Sequence, residues 1–420
     1  MKNSQKTPKK GNILETTLSN VFSFLDDSQG QPLKPSDKTT SRIEQNILFT
    51  IKRHQASIDW LIDTHSHGKV RPRTRKVLWW AIAELVYLDG AAAHAVVDSA
   101  THFVKTRHAP QEASFVNALL RRISDAVVTT QDLLADAPEH VRLEMPSCLW
   151  KRWQDSMGAN RAREIAQTIL TPAPLVFRQS TWPAVDSATP EELEPIDSPE
   201  WLPNARLYRP RLPHLDIGKF MAEHPQMYIQ DPATLLAPSL LAPVPGETIA
   251  DLCAAPGGKS RLIAELLHDT GRLFCRDRAE DKIPRLKANL KAFSCADIRQ
   301  GDAAQPDLPP HCLDAVLLDV PCTNTGVLRR KPDAKWSFDN KKLAELISAQ
   351  QTILEAALSL LKTGGRLVYS TCSLEPEENT RQIRGFLDRH PEAHLVKEQL
   401  LYPTDTHDGA YAALVSLKRQ

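Results

Sequence analysis

The sequence is informative first for what it does not contain. No run reaches the roughly 18 apolar residues that a membrane-spanning helix needs. The N-terminus, MKNSQKTPKKGNILETTLSN, is basic but has no apolar core of the kind found in secretory signal peptides. These absences predict a protein that remains in the cytoplasm and has no membrane partner.

Cysteine is scarce and irregularly spaced. The seven cysteines are odd in number and include no C-x-x-C pair, which argues against a disulfide framework and against a metal site for zinc. The net charge is only +1, so an acidic partner such as a nucleic acid has to be sought through local charge. Neither a G-x-G-x-x-G fingerprint nor a Walker lysine motif is present, which disfavours NAD and ATP.

The 420 residues suit two or three globular domains. Residues 1–40 are polar, and we expect part of this segment to be mobile. Residues 41–135 carry apolar side chains at three- and four-residue steps, which predicts an all-helical domain. Residues 136–235 are rich in proline and include an acidic stretch, which predicts a connecting region and the first part of the module that follows. Residues 236–420 form the last predicted domain.

The helical domain carries a local excess of basic residues. Residues 41–125 contain 12 Lys or Arg against 8 Asp or Glu, a net charge of +4. The stretch KVRPRTRK contributes Arg71, Arg73 and Arg75, which we interpret as candidate RNA contacts. The alternative is a charged face that only contacts water.

Short β-type runs alternate with amphipathic helices after residue 236. This rhythm predicts an α/β, Rossmann-like domain with a mostly parallel, doubly wound sheet. In such sheets ligands bind beyond the carboxyl ends of the strands. The predicted strands are TIADLCA, GRLFCRD, DIRQGD, LDAVLLD and GRLVYSTCS.

A glycine pair follows the first of these strands in DLCAAPGGKS. Pro256 restricts the chain there, and Gly257 and Gly258 let backbone approach a ligand closely. A tight strand-to-helix turn is an equally common reason for such a pair. However, the next strands end at Asp277, where a carboxylate can accept ribose hydroxyls, and at Asp302, a place for an acid near adenine. S-adenosylmethionine is therefore the best candidate ligand.

Two cysteines follow neighbouring motifs at strand ends. The fourth strand leads into Asp319 and Cys322, and the fifth leads into Cys372. If these strands pair, they lie about 4.8 Å apart and both thiols face one crevice. Cytosine C5 is a poor nucleophile until a thiolate adds to C6. Cys372 suits that addition, Asp319 can hydrogen-bond N3, and Cys322 can assist loss of the C5 proton.

The remaining cysteines are interpreted as small buried apolar side chains, the commonest role of a single cysteine. They are Cys148, Cys253, Cys275, Cys295 and Cys312.

The segment after Cys322, TNTGVLRRKPDAKW, predicts a cradle for RNA phosphates, with Trp336 available for packing or base stacking. A charged solvent loop is the alternative. The predicted phosphate contacts are Arg329, Arg330, Lys331 and Lys335.

The segment after Cys372, SLEPEENT, has the composition of a helix start, with a proline followed by acids. We therefore expect Glu377 and Glu378 to cap a helix rather than to take part in catalysis.

These motifs together resemble one family. DLCAAPGGKS, DVPCTNTGVLRRKPDAKW and YSTCSLEPEEN resemble the motifs of RNA cytosine-5 methyltransferases. RPRTRKVLWWAIAELVYL and FVNALLRRI resemble the NusB-like domain of the Fmu/Sun branch of that family. The resemblance extends over residues 40–420. It departs from the usual pattern at Thr323, Gln179 and the pair Ala410-Tyr411.

The resemblance implies a function and site residues. The methyl donor would be S-adenosylmethionine and the target cytosine 967 of 16S rRNA. Cys372 would be the nucleophile and Cys322 would assist product release. Residues 254–260 would hold the methionine part, Asp277 the ribose, Asp302 the adenine, and Asp319 the cofactor or target base. The full set of implied cofactor contacts is Cys253, Ala254, Ala255, Pro256, Gly257, Gly258, Lys259, Asp277, Asp302 and Asp319.

Other interpretations stay open. One alternative has the same chemistry but a different substrate, tRNA in place of rRNA. A protein of another class, a non-catalytic RNA-binding ribosome-assembly factor, could keep the fold but would not need both cysteines. Methylation of a protein or small molecule would not require two thiols at adjacent strand ends. For the leading hypothesis we expect a monomer whose partner is 16S rRNA or an intermediate of small-subunit assembly.

Overall fold

The computed structural model describes residues 10–27, 41–66, 68–129, 132–182, 188–212 and 214–418. The chain divides into two compact units. The first consists of Met1–Leu170 with Lys331–Ser337, and the second of Thr171–Arg330 with Phe338–Gln420. Within the described residues, no helix is long and apolar enough to cross a membrane.

The first unit is helical, as its periodicity predicted. Local signals explain several boundaries: Ser41 and Glu44 form a capping box, and Pro72 occupies the first turn of its helix. The helices are α1 (Lys10–Asp27), α2 (Arg42–Arg53), α3 (Gln55–Thr64), α4 (Pro72–Ile82), α5 (Ala93–Arg107), α6 (Ala113–Val128), α7 (Glu139–Arg142), α8 (Ser147–Met157) and α9 (Ala159–Leu170). A π-helix, Ala83–Tyr87, follows α4 directly.

The apolar positions found in the sequence form the core of this unit. Val77 and Leu78 on α4 and Leu119 on α6 are buried in one cluster. The first unit continues beyond residue 135, where we expected the helical domain to end. It includes α8 and α9, which bury apolar faces of their own, among them Trp153 and Ile165. The predicted connecting region is therefore divided between the two units. The N-terminal segment 1–40 is described only over residues 10–27, and its other residues lie outside the described part.

The second unit begins with a small antiparallel sheet of order β2-β3-β1-β4. Phe177 and Tyr208, on two of its strands, form a buried apolar cluster with Phe220. The acidic stretch 186–200 is described from residue 188 and supplies β2. The elements are β1 (Phe177–Gln179), β2 (Leu193–Ile196), β3 (Leu207–Pro210), α10 (Ile217–Glu223) and β4 (Met227–Ile229).

The large sheet of the second unit has the order β10-β11-β9-β8-β5-β6-β7. Strands β5 to β9 are parallel, as predicted, and β11 joins β9 and β10 in antiparallel fashion. The elements are α11 (Leu236–Leu241), β5 (Thr248–Asp251), α12 (Gly258–Leu266), β6 (Arg272–Asp277), α13 (Ile283–Leu290), β7 (Ala296–Gln300), β8 (Leu313–Asp319), α14 (Asn340–Leu358), β9 (Leu361–Thr371), α15 (Thr380–Arg389), β10 (Ala393–Leu401) and β11 (Ala410–Leu417).

Both faces of this sheet are covered by apolar packing. Along β8, Leu317 belongs to the cluster on one face, while Val316 and Leu318 belong to the cluster on the other. Strand β5 lies between β6 and β8, so the chain order reverses beside β5. A crevice is expected at that position, at the carboxyl ends of the strands.

Candidate active site

The glycine loop joins β5 to α12 at the point where chain order reverses. Gly257 has φ +108°, a left-handed conformation that glycine adopts without strain, and it precedes the first residue of α12. A Cβ on Gly257 would lie 2.9 Å from Cδ1 of Leu286. The loop is therefore shaped for glycine by both conformation and space.

Asp251, at the end of β5, is buried beneath this loop. Its Oδ2 accepts a hydrogen bond from the Ser260 hydroxyl at 2.6 Å. Burial raises the pKa of Asp251 to about 7, although the Ser260 hydroxyl opposes the shift. This acid lies beneath the predicted cofactor loop and was not singled out in the sequence.

The two thiols of the candidate site come together as the strand-end argument predicted. Strands β8 and β9 pair in parallel, with Asp319 opposite Ser370. The Sγ atoms of Cys322 and Cys372 are 3.3 Å apart. Cys372 also donates to Oδ1 of Asn324 at 3.3 Å. These two cysteines thus form a single thiol pair although 50 residues separate them.

The thiol pair is asymmetric in its surroundings. Cys322 is buried, whereas Cys372 is half-buried. The pKa of Cys322 lies well above its usual value because of its hydrogen bond to Cys372, its burial, and the nearby charges of Cys372 and Glu378. Cys322 therefore retains its proton more firmly than an exposed cysteine does.

A cavity of about 310 Å³ connects these features. The predicted site residues that line it are Cys253, Ala254, Ala255, Pro256, Gly258, Lys259, Asp319, Arg330 and Cys372. The glycine loop, an acid and a thiol therefore share one chamber. Tyr228, Gln230 and Asp231, which the sequence did not single out individually, line another part of its wall.

The acids predicted to hold a nucleoside occupy different surroundings. Asp277 is buried at the end of β6 and accepts from the backbone N–H groups of Ala255 and Ala279 at 3.0 and 2.9 Å. Asp302 is exposed and accepts from the backbone N–H of Ala304 at 3.0 Å. The bond to Ala255 ties Asp277 to the glycine loop.

The predicted phosphate cradle is only partly exposed. Arg329 is 2% exposed and forms an ion pair with the buried Asp408, so it is not a surface cation as expected. Arg330 is more exposed, but it pairs with Asp408 and Asp231. The sequence could not show this, because the two acids lie 78 and 99 positions away from Arg330.

The rest of that segment belongs to the first unit. Lys331 is exposed. Lys335, in contrast, is 3% exposed and donates to the backbone carbonyls of Arg53 and Glu144 at 2.9 and 2.6 Å. Trp336 donates to the carbonyl of Lys52. This burial contradicts the expectation that Lys335 contacts phosphate, because its ammonium group already donates to two backbone carbonyls of the first unit.

The arginines of KVRPRTRK lie at the surface of the first unit, and each has an acidic partner. Arg71 pairs with Glu112, Arg73 with Asp26, and Arg75 with Asp59 and Asp63. The side chains of Arg71 and Arg73 are 60% and 64% exposed. These two guanidinium groups remain open to solvent despite their pairing.

Comparison with known proteins follows the same division of the chain. The family model described as 16S rRNA methyltransferase RsmB/F matches residues 238–415, and the NusB family model matches residues 3–125. The ribosomal RNA small subunit methyltransferase B of Klebsiella pneumoniae subsp. pneumoniae is 33% identical over 404 residues, which cover 90% of this chain and 87% of that protein. The chain belongs to the RsmB/F methyltransferase family.

A second relative supports the same family, and a solved structure supports the same fold. The probable ribosomal RNA small subunit methyltransferase B of Synechocystis is 29% identical over 386 residues, covering 86% of this chain and 83% of the relative. The crystal structure of PH0851 has the same fold, with a TM-score of 0.75, 24% identity, and coverage of 98% of this chain and 100% of that one. The predicted resemblance to this methyltransferase family and the predicted fold class are confirmed, and the protein is an RNA methyltransferase.

The structure of this RsmB/F protein also corrects one expectation. Glu378 does not cap a helix: its carboxylate is fully buried and accepts a hydrogen bond from the backbone N–H of Thr323 at 3.0 Å. Thr323 departs from the usual family residue, but its hydroxyl also donates to Glu378. The run of acids before a helix was interpreted by its local pattern, which contains no information about a partner 55 positions away. Glu377 pairs instead with Arg381, in the first turn of α15.

A buried ion pair behind the cavity was also missed. Arg178 donates to both carboxylate oxygens of Glu265, at 2.5 and 3.2 Å, and its Nε donates to Gln230 at 3.1 Å. Both charged side chains are almost fully buried. Since Gln230 lines the cavity, this pair holds one of its walls.

Proposed function

We propose that this RsmB/F protein transfers a methyl group from S-adenosylmethionine to C5 of cytosine 967 in 16S rRNA, through a covalent bond between Cys372 and C6 of the base. The proposal rests on one observation above all. The sulfur atoms of Cys322 and Cys372 lie 3.3 Å apart, and Cys372 lines the cavity that also contains the glycine loop.

The residues around the cavity fit S-adenosylmethionine. A Cβ on Gly258 would come within 3.2 Å of Nε2 of Gln230, so the missing side chain leaves room against the cavity wall. We assign the methionine part to residues 254–260, the ribose to Asp277 and the adenine to Asp302. The carboxylate of Asp277 has acceptor capacity beyond its two backbone bonds. When bound, the cofactor supplies an electrophilic methyl group.

The thiol pair would carry out the covalent part of the reaction. Because Cys322 retains its proton, it can donate to Cys372 and favour negative charge there. The Cys372 thiolate adds to C6, which makes C5 nucleophilic enough to accept the methyl group. Once the sulfur of Cys372 is bonded to C6, the hydrogen bond and the charge of Cys372 no longer raise the pKa of Cys322, so Cys322 can release its proton to solvent. Cys322 then accepts the C5 proton, and the electrons of the C5–H bond expel the Cys372 thiolate from C6 and restore the aromatic ring.

Asp319 is proposed to contact the target base. It lines the cavity, and its carboxylate is held by Lys259 at 2.6 Å and by Ser370 at 3.4 Å. Because an ionised carboxylate only accepts hydrogen bonds, Asp319 can support N3 of the cytosine once that nitrogen has taken up a proton from solvent as the thiolate adds. Arg330 and Lys331, with Arg71, Arg73 and Arg75, are the proposed contacts to RNA phosphates.

The covalent mechanism can be tested on a denaturing gel. Cys322→Ala, Cys372→Ala and the double variant are incubated with S-adenosylmethionine and a 16S rRNA fragment. We expect a slow-migrating protein–RNA adduct with Cys322→Ala that disappears when Cys372 is also replaced. Methylation that persists in Cys372→Ala without any adduct would show that another residue is the nucleophile.

The target nucleotide needs a separate test. A matched fragment in which cytosine 967 is replaced by uridine should give neither methylation nor adduct. An adduct with tRNA but none with 16S rRNA would favour a tRNA methyltransferase. Binding of RNA without methyl transfer to either substrate would favour the non-catalytic assembly factor.

The state in which the protein acts is also proposed. We infer a cytoplasmic monomer that acts on free 16S rRNA or on an intermediate of small-subunit assembly. Sedimentation of the protein at working concentration should give the mass of one chain, 46.9 kDa. Comparing methylation of naked 16S rRNA with that of partly assembled subunits separates the two substrates.

A further inference from the structure

We propose that Glu378 and Asn379, which are neighbours in the sequence, are positioning residues that fix the two thiols in place relative to each other. Glu378 acts on the segment that carries Cys322, and Asn379 acts on the segment that carries Cys372. The inference rests on the proposed function, because it concerns how the two cysteines divide one covalent cycle.

Glu378 holds the Cys322 segment from its C-terminal side. Its carboxylate accepts from the backbone N–H and the hydroxyl of Thr323, the residue after Cys322. Gln350 completes the hold, since its Nε2 donates to Glu378 at 3.0 Å and to the carbonyl of Pro321 at 2.9 Å. The residues on both sides of Cys322 are thereby tied to the same buried pair.

Asn379 does the same for Cys372. Its Oδ1 accepts from the hydroxyl of Thr371 at 2.6 Å, and its Nδ2 donates to the carbonyl of Ser373 at 2.9 Å. Thr371 and Ser373 are the two neighbours of Cys372 in the chain. The side-chain amide of Asn379 is therefore bonded to both chain neighbours of Cys372, the proposed nucleophile.

The two halves of the network are joined. The hydroxyls of Thr323 and Ser373 are 3.0 Å apart, and Tyr369 donates to the backbone carbonyl of Glu378 at 2.7 Å. Thr323, Ser373, Glu378 and Asn379 are all buried, where a shift of one partner leaves another polar group unsatisfied. The network thus fixes the relative position of the two cysteine segments.

Helix capping does not account for these contacts. Asn379 stands at the N-cap position of α15, yet within the described residues its side chain makes no capping hydrogen bond to that helix. Burial raises the pKa of Glu378, and the hydrogen bonds from Ser373, Thr323 and Gln350 oppose that shift. A buried carboxylate is costly unless its partners compensate, and here most of the partners belong to the thiol segments.

The test uses the two steps of the covalent cycle, assayed with a 16S rRNA fragment and S-adenosylmethionine. Glu378→Gln should misplace Cys322 and slow product release, so that an adduct accumulates although Cys322 is present. We expect release to slow on the order of 10-fold to 100-fold. Asn379→Asp, made together with Cys322→Ala, should instead slow adduct formation by a similar factor.

Conservative variants distinguish the loss of one hydrogen bond from misfolding of the protein. Thr323→Val removes the hydroxyl that donates to Glu378 while keeping the side-chain shape, and Thr323→Ser retains it. Thr371→Val and Thr371→Ser do the same for Asn379. The serine variants should behave like the wild type and the valine variants like the corresponding Glu378 or Asn379 variant. Glu377→Gln is the matched control, because Glu377 pairs with Arg381 on the surface.

The outcomes are distinct. If Glu378→Gln and Thr323→Val release product as fast as the wild type while Cys322→Ala traps an adduct, the inference is wrong and the proposed function stands. A parallel fall of adduct formation and release in every variant would assign the network a structural role only and would also overturn the inference. No adduct with Cys322→Ala, despite methylation by the wild type, would refute the covalent mechanism itself.

Discussion

The Nζ atom of Lys259, in the first turn of α12, lies 2.6 Å from Oδ2 of Asp319 at the end of β8. Both side chains line the cavity beside Cys372. Burial tends to lower the pKa of Lys259, but the neighbouring Asp319 carboxylate outweighs it and the pKa is raised. A charged pair is therefore maintained at the place where the methyl donor and the base are proposed to meet.

Asp319→Asn should reduce methyl transfer on the order of 100-fold, since the shape is kept and the charge that pairs with Lys259 is lost. Rates are measured with labelled S-adenosylmethionine and a 16S rRNA fragment. Glu345→Gln, which removes one member of an exposed pair with Lys341, should leave the rate unchanged. A wild-type rate in Asp319→Asn would remove Asp319 from the proposed site.

Gly257→Ala should weaken both stability and cofactor binding. An alanine at φ +108° costs about 1–2 kcal/mol in conformational energy, and its Cβ would press on Leu286. Gly246→Ala is the matched control, because Gly246 has φ +90° but no described atom lies within 4 Å of its added Cβ. Chemical denaturation and calorimetric titration with S-adenosylmethionine separate the two effects. Equal affinities in the two variants would contradict the assigned role of the loop.

The stability of the protein should depend on the ionisation of Asp251. Its pKa is about 7 in the folded state, against 3.8 for an ordinary aspartate, so the folded state binds the proton more tightly. The contribution of this group to stability is therefore full below pH about 4 and is lost as the pH rises to about 7. The shift corresponds to about 4 kcal/mol.

Asp251→Asn tests this directly, because an amide stays neutral. Measured by urea denaturation, the stability of this variant relative to the wild type should increase as the pH is raised from about 5 to about 7. Asp302→Asn replaces an exposed acid by the same amide and is the control for the substitution itself. A constant difference between Asp251→Asn and the wild type would mean that Asp251 is ionised throughout.

Replacing Arg71, Arg73 and Arg75 together by glutamine should weaken RNA binding and make it less sensitive to salt. Removing one phosphate contact reduces the steepness of log affinity against log salt by roughly 0.7 to 0.9. Arg161→Gln is a control in the same unit, since Arg161 is exposed and paired with Glu164. Filter binding between low and moderate salt provides both quantities. An unchanged affinity and slope would place the RNA interface elsewhere.

Much of the catalytic domain could be predicted from the sequence because its signals are local. The strand that ends in Asp319 and the strand that ends before Cys372 each contain a short apolar run and are followed by turn residues. Pairing of the two strands then places both thiols at one edge. The conformation of the glycine loop could be predicted for the same reason, because a left-handed residue directly before a helix is usually a glycine.

The charged residues were harder to interpret. Arg329 and Lys335 have the composition of a phosphate cradle, yet both are buried. Glu378 has the composition of a helix start, yet it binds Thr323. In each case the partner is distant in the chain, and whether a charge faces water or a buried partner depends on that contact.

The sequence by itself determined the order of the two units, the parallel strands and the identity of the thiol pair, because periodicity and strand-end motifs depend on neighbouring residues. Only the tertiary structure decided which polar side chains hold the site in place. Burial excludes water, so each buried charge or amide must find its partner in the fold, and for Asn379 that partner is the backbone beside Cys372.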